Sequence, residues 1–78
     1  MGVSAFVLIQ TELGRASDVA VACREIEGVS EAHDVTGPYD VIAKCEADSV
    51  DDLGRLIVSA IQEIPGIART LTCPVINI

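Results

Sequence analysis

"REIEGV" occupies residues 24–29, and a near copy, "QEIPGI", occupies residues 62–67. Each places Glu-Ile, one further residue, then a glycine and a β-branched residue. A glycine at the end of a helical stretch supplies the left-handed turn that stops it, and a β-branched residue suits the strand that follows. Both hexapeptides therefore read as points where a helix hands over to a strand, and the chain contains that unit twice.

Working outward from each copy recovers the elements. Before the first, Ser17 is placed to cap a helix running to about Glu27, with Val19, Ala22, Cys23 and Ile26 at helical spacing. Before the second, "SVDD" at 49–52 has the Ser-x-x-acid form, in which hydroxyl and carboxylate each satisfy an amide left unpaired at a helix start. Leu53, Leu56, Ile57, Ala60, Ile61 and Ile64 then form one apolar stripe, which Pro65-Gly66 stops. Residues 4–12, "SAFVLIQTE", read as a strand whose two faces are both apolar, so both need covering. Residues 29–36 and 39–47 read as strands joined by a tight turn at Gly37-Pro38. Residues 67–76 form the last strand, with Pro74 turning its end toward an edge. The expectation is an α+β fold of the ferredoxin-like βαββαβ plan: a four-stranded antiparallel sheet with two helices on one face. No linker or second domain is visible, so residues 1–78 are read as a single domain.

Composition narrows the function classes. Half of the 78 residues are apolar, with one Phe, one Tyr and no Trp. So short a chain buries only about 60% of its unfolded surface, which leaves apolar material to be covered by a symmetric partner. The formal charge is −7, and Arg15, Arg24, Lys44, Arg55 and Arg69 are scattered singly. Phosphate neutralisation needs clustered cations, so direct nucleic-acid binding and attraction to an anionic membrane are not expected. No apolar run approaches the roughly 20 residues of a membrane span, and Ala5–Ile9 lacks the basic leader of a signal peptide. Cytoplasmic residence is the expectation. Cys23, Cys45 and Cys73 are odd in number and widely spaced, without a C-x-x-C, and read as buried thiols rather than disulfides or zinc ligands.

Catalytic inventories stay incomplete. His33 is the one imidazole, and its neighbour Asp34 points to the opposite face of a strand. Ser17 and Ser49 are accounted for as caps, Asp51-Asp52 as acids favoured in a first helical turn. No glycine-rich phosphate loop exists. No enzyme, cofactor or metal site is expected. What stands out is "VTGPYD" at 35–40. The plain reading is a hairpin tip whose Gly37 permits an unusual φ, whose Pro38 fixes the next, and whose Asp40 caps nearby amides. The second reading is a site for a small zwitterion. Amides around Gly37 would receive a carboxylate, Asp40 or Asp34 an ammonium, and Tyr39 would form a wall. On that reading Asp40→Ala weakens binding and leaves the fold little changed.

"AFVLIQT", "VTGPYDV" at 35–41, "DDL…I…I…IPGI" at 51–67 and "RTLT" at 69–72 occur in this order, and through them the whole chain resembles the effector-binding (RAM) domain of the Lrp/AsnC family of transcriptional regulators. The resemblance implies homodimers formed by two sheets face to face, assembled into rings. It implies amino acids or related metabolites bound between dimers near the hairpin tip. The implied site is Gly37, Tyr39 and Asp40 with Thr36 and Pro38 beside them, and Thr70 and Thr72 contributed by the last strand. Full-length members carry a helix-turn-helix domain ahead of this one, whereas here Met1 lies almost at the first strand. The expectation is a stand-alone or excised ligand-binding domain that acts through co-assembly with a full-length regulator. An ACT-type regulatory module, a small dimeric enzyme and a ligand-free assembly domain are the competing readings.

Overall fold

The structure is a computed structural model, and it describes residues 2–76. Strand β1 (Val3–Thr11) leads to helix α1 (Ala16–Arg24), strands β2 (Val29–Asp34) and β3 (Val41–Ala47), helix α2 (residues 50–62) and strand β4 (Ile67–Pro74). The sheet is antiparallel, ordered β2-β3-β1-β4, so β1 and β3 are central and β2 and β4 are edges. This is the expected βαββαβ sandwich.

Ala5, Val7 and Ile9 of β1 and Val41, Ala43 and Cys45 of β3 alternate onto one face and are fully buried. Val19, Ala20 and Cys23 of α1 and Leu53, Ile57 and Ile61 of α2 close over them to complete the core. The two hexapeptides end their helices in matching ways. Glu25 N–H donates to Ala22 and Glu63 N–H to Ala60, while Gly28 and Gly66 adopt φ of +101° and +97°. At Gly28 the glycine is required for space as well, since a Cβ would lie 2.5 Å from Ile57 Cδ1 and 3.2 Å from the Glu46 carbonyl.

Several local expectations need correction. Arg15, not Ser17, occupies the N-cap of α1, without a side-chain cap; the Ser17 hydroxyl instead donates to Asp34 Oδ2 at 2.9 Å. The helix ends at Arg24 rather than about Glu27, since the 24–29 hexapeptide is itself the turn. At α2, Ser49 does accept from Asp52 N–H (3.1 Å), but the Asp52 carboxylate bonds Arg55 at 3.2 Å, so the cap runs one way. Within α2, Val50–Asp52 and Ser59–Gln62 are α-helical while Leu53–Val58 form a π turn. A π turn advances less per residue than an α turn and rotates the stripe. Leu56, expected in the core, is consequently 62% exposed. The β2–β3 connection is also wider than a tight turn, spanning residues 35–40. Cys23 and Cys45 are buried, but Cys73 is exposed, because β4 is an edge strand that presents it to the open face beside Phe6.

The face away from the helices carries Phe6, Leu8, Ile42 and Leu71, with Phe6 40% and Leu71 48% exposed. Glu31, His33, Lys44, Gln10 and Arg69 stand around them in the same register. The sheet thus has an uncovered apolar centre with a polar surround. No helix among the described residues is long and apolar enough to cross a membrane.

Candidate functional site

The hairpin tip is held to the end of β1 by a set of hydrogen bonds that link residues far apart in the chain. Val35 N–H donates to the Asp40 carbonyl (2.9 Å), closing the loop on itself. Asp40 N–H donates to the Ile9 carbonyl (2.8 Å), and Gln10 Nε2 donates to the Pro38 carbonyl (2.9 Å). The Asp40 carboxylate accepts at Oδ2 from Thr11 N–H (2.8 Å) and from the Thr11 hydroxyl (3.3 Å). The plain reading of Asp40 as a cap for a free amide is therefore correct, and that amide belongs to Thr11.

Within this anchored frame the tip remains open. Thr36, Gly37 and Pro38 are exposed, and Tyr39 and Asp40 are half-buried. Gly37 has φ +121°, and a Cβ built on it would meet nothing within 4 Å. Glycine is needed there for the backbone conformation alone. The main chain at Gly37 can be approached closely by a ligand or another subunit.

The seven residues expected to form the site do not all converge within one chain. Thr36, Gly37, Pro38, Tyr39 and Asp40 share the tip. Thr70 pairs with Ile9 and Thr72 with Val7 on the outer strand β4, two strands away from β3. That is a separation of about 10 Å at ordinary strand spacing. Thr70 is also engaged, its hydroxyl accepting from Gln62 Nε2 at 3.1 Å. Sequence reasoning missed Gln10 and Thr11, the two side chains that fix the tip. Their signal was faint: two polar residues closing an otherwise apolar strand.

Other chemistry finds little to work with. His33 Nε2 lies 3.1 Å from Glu31 Oε1 on the open face, and Asp34 turns the other way to Ser17. Burial pushes the Cys45 thiol up to about 11 and raises that of Cys23, so both are protonated packing groups at neutral pH. Among the described residues no three His, Cys, Asp or Glu side chains are grouped to hold a metal ion.

The structure is thus an α+β sandwich with an open hairpin tip hydrogen-bonded to β1 and an uncovered sheet face. The chain belongs to the Lrp/AsnC ligand binding domain family, whose pattern it matches over residues 4–78. It is 32% identical over 75 residues to an uncharacterized HTH-type transcriptional regulator of Pyrococcus furiosus, covering 92% of this chain and 50% of that protein. The chain spans about half the length of the curated relatives it matches. A crystal structure of a Thermus thermophilus protein superposes with a TM-score of 0.89 at 32% identity, covering 97% of this chain and 95% of that one. Escherichia coli AsnC superposes with a TM-score of 0.86 at 26% identity, over 96% of this chain and 51% of its own. The family is one of regulatory ligand-binding domains of transcription regulators, not of enzymes.

Proposed function

We propose that this chain is an oligomeric, amino-acid-responsive regulatory module whose effector binds at the 36–40 tip. The observation that carries the reading is the tip's combination of rigidity and openness. Four side-chain and main-chain contacts tie it to β1, while Thr36, Gly37 and Pro38 stay exposed. A pre-organised site loses little entropy on binding. The effector's carboxylate would meet amides around Gly37, its ammonium the Asp40 carboxylate, and its side chain the Tyr39 ring. One tip is too open to exclude water, so a second subunit completes the pocket. Thr70 and Thr72 join the site only if that subunit supplies them. Two copies pair through the apolar centre of the open sheet face, and such dimers assemble into rings. Acting in the cytoplasm, the module modulates transcription through co-assembly with a full-length HTH-type regulator rather than by touching DNA, since its cations are scattered and its charge is −7.

Thermal unfolding against the common amino acids at millimolar concentration tests this reading. An effector at 100 times its dissociation constant stabilises by ~2.7 kcal/mol. For so small a chain that raises Tm by roughly 10 °C or more. A shift confined to a few amino acids supports the proposal. No shift with any of them refutes it and leaves an assembly domain.

A further inference from the structure

A concave surface lies at the end of the sheet opposite the hairpin tip. It is a groove of about 610 Å³ between the turn after α1, the end of β3 and the first half of α2. Its floor is apolar, made by Ile26, the exposed Leu56 and the edge of the buried Ile57; its rim carries Glu27, Asp48 and Asp52, while Glu46 lines it through its main chain. Two features of the backbone create it. Gly28 lets Ile57 and the Glu46 carbonyl come closer than any side chain would permit. The π turn at Leu53–Val58 delivers Leu56 to the groove instead of to the core. Such turns interrupt a favourable hydrogen-bond ladder and occur often at functional sites.

We propose that this groove docks a basic amphipathic segment of a partner polypeptide, with an apolar side chain on Leu56 and Ile26 and flanking Lys or Arg on the rim. Charge complementarity selects this occupant. Among the described residues Glu27 and Asp48 make no ion pair, whereas Asp52, which also lines the groove, is paired with Arg55. Two unpaired carboxylates beside an apolar floor repel anions and attract a cation that also brings apolar surface. A second copy of this chain does not fit that description. Its five cations are scattered singly through a chain of net charge −7, so none of its segments is basic. The groove is open to solvent rather than enclosed, which suits a polypeptide segment better than a fully buried small ligand. The groove and the hairpin tip occupy opposite ends of the sheet, so docking here does not depend on the effector reading.

The test is a backbone amide NMR titration of the intact chain with an octapeptide alternating pairs of lysine and leucine. Peptides with serine for leucine, or glutamate for lysine, serve as controls. The expected shifts concentrate at Gly28, at residues 46–48 and at Leu56 and Ile57, and neither control binds. Leu56→Ser weakens the peptide by about fivefold or more, as truncation of an apolar contact in a docking site does. Its exposure means that it leaves the amide spectrum otherwise native. Glu27→Gln with Asp48→Asn weakens the peptide too, whereas Glu12→Gln with Asp18→Asn at the other end does not. Shifts centred on the sheet face or the hairpin overturn the proposal. So does equal binding of the leucine-free peptide or of a simple polyamine, which would mean a cation alone is held. A change in sedimenting mass of Leu56→Ser without peptide also overturns it, by identifying a second copy as the occupant.

Discussion

Asp40 carries two duties in this reading, and substitution can separate them. Its Oδ2 accepts from Thr11 N–H at 2.8 Å and from the Thr11 hydroxyl at 3.3 Å. Asp40→Ala removes both acceptors at once. A hydrogen bond to a charged group contributes ~1.5–3 kcal/mol when well sheltered. Asp40 is only half-buried, so water replaces part of what is lost. The net cost is about 1–2 kcal/mol, a fall in Tm of roughly 4–16 °C for a chain of this size. That exceeds the small effect expected when Asp40 is read from the sequence as a loop residue. Asp40→Asn keeps an acceptor for Thr11 N–H and should cost about 0.5 kcal/mol or less. Both variants lack the charge that would hold an ammonium, so both should lose the effector-dependent rise in Tm.

The assay is urea and thermal unfolding of the three proteins at one fixed protein concentration, with and without a responsive amino acid, because assembly makes Tm concentration-dependent. An Asp40→Ala protein as stable as the parent, with unchanged m-value, would show that the Thr11 contacts contribute nothing. An Asp40→Asn protein with native stability and a full ligand response would remove the carboxylate from the binding site.

Three further outcomes are expected. Gly28→Ala should destabilise by about 2–4 kcal/mol in urea, because it combines a φ of +101° with a Cβ 2.5 Å from Ile57 Cδ1; Gly37→Ala, with φ +121° and nothing within 4 Å, should cost only the backbone strain of about 1–2 kcal/mol. Replacing Phe6 and Leu71 together by Asp places two charges in the apolar centre of the open face; on the proposed face-to-face pairing it should lower the sedimenting mass to that of a folded monomer at micromolar concentration, with circular dichroism unchanged. Stability should hold steady up to pH 9 and fall as pH rises toward 11, because the unfolded Cys45 thiol ionises near 9.0 and the folded one near 11. Between those values the unfolded state binds fewer protons, so rising pH favours it. Cys45→Ala should flatten this slope in urea titrations run across the same range.

The order of elements was legible because it rests on local rules. The two hexapeptides, the Ser49 cap, the alternating apolar residues of β1 and the stripe along α2 each act within a few residues, and periodicity reports them directly. An odd excess of apolar residues likewise announced the open sheet face. The tip's position was legible from Gly37-Pro38, but its attachment was not. Asp40 and Thr11 are 29 residues apart, and only the β1–β3 register brings them together. The same sheet order sets Thr70 and Thr72 two strands from the tip, a separation the sequence does not reveal. Leu56 shows the converse case, a residue whose spacing assigns it to the core and whose π turn carries it to the surface. Sequence alone determined which segments are helix and strand and which face of each is apolar, since backbone propensity and side-chain period are local. Tertiary structure decided which polar groups meet, which apolar ones stay uncovered and where the chain is concave, since those depend on strand register and on close approach between distant residues.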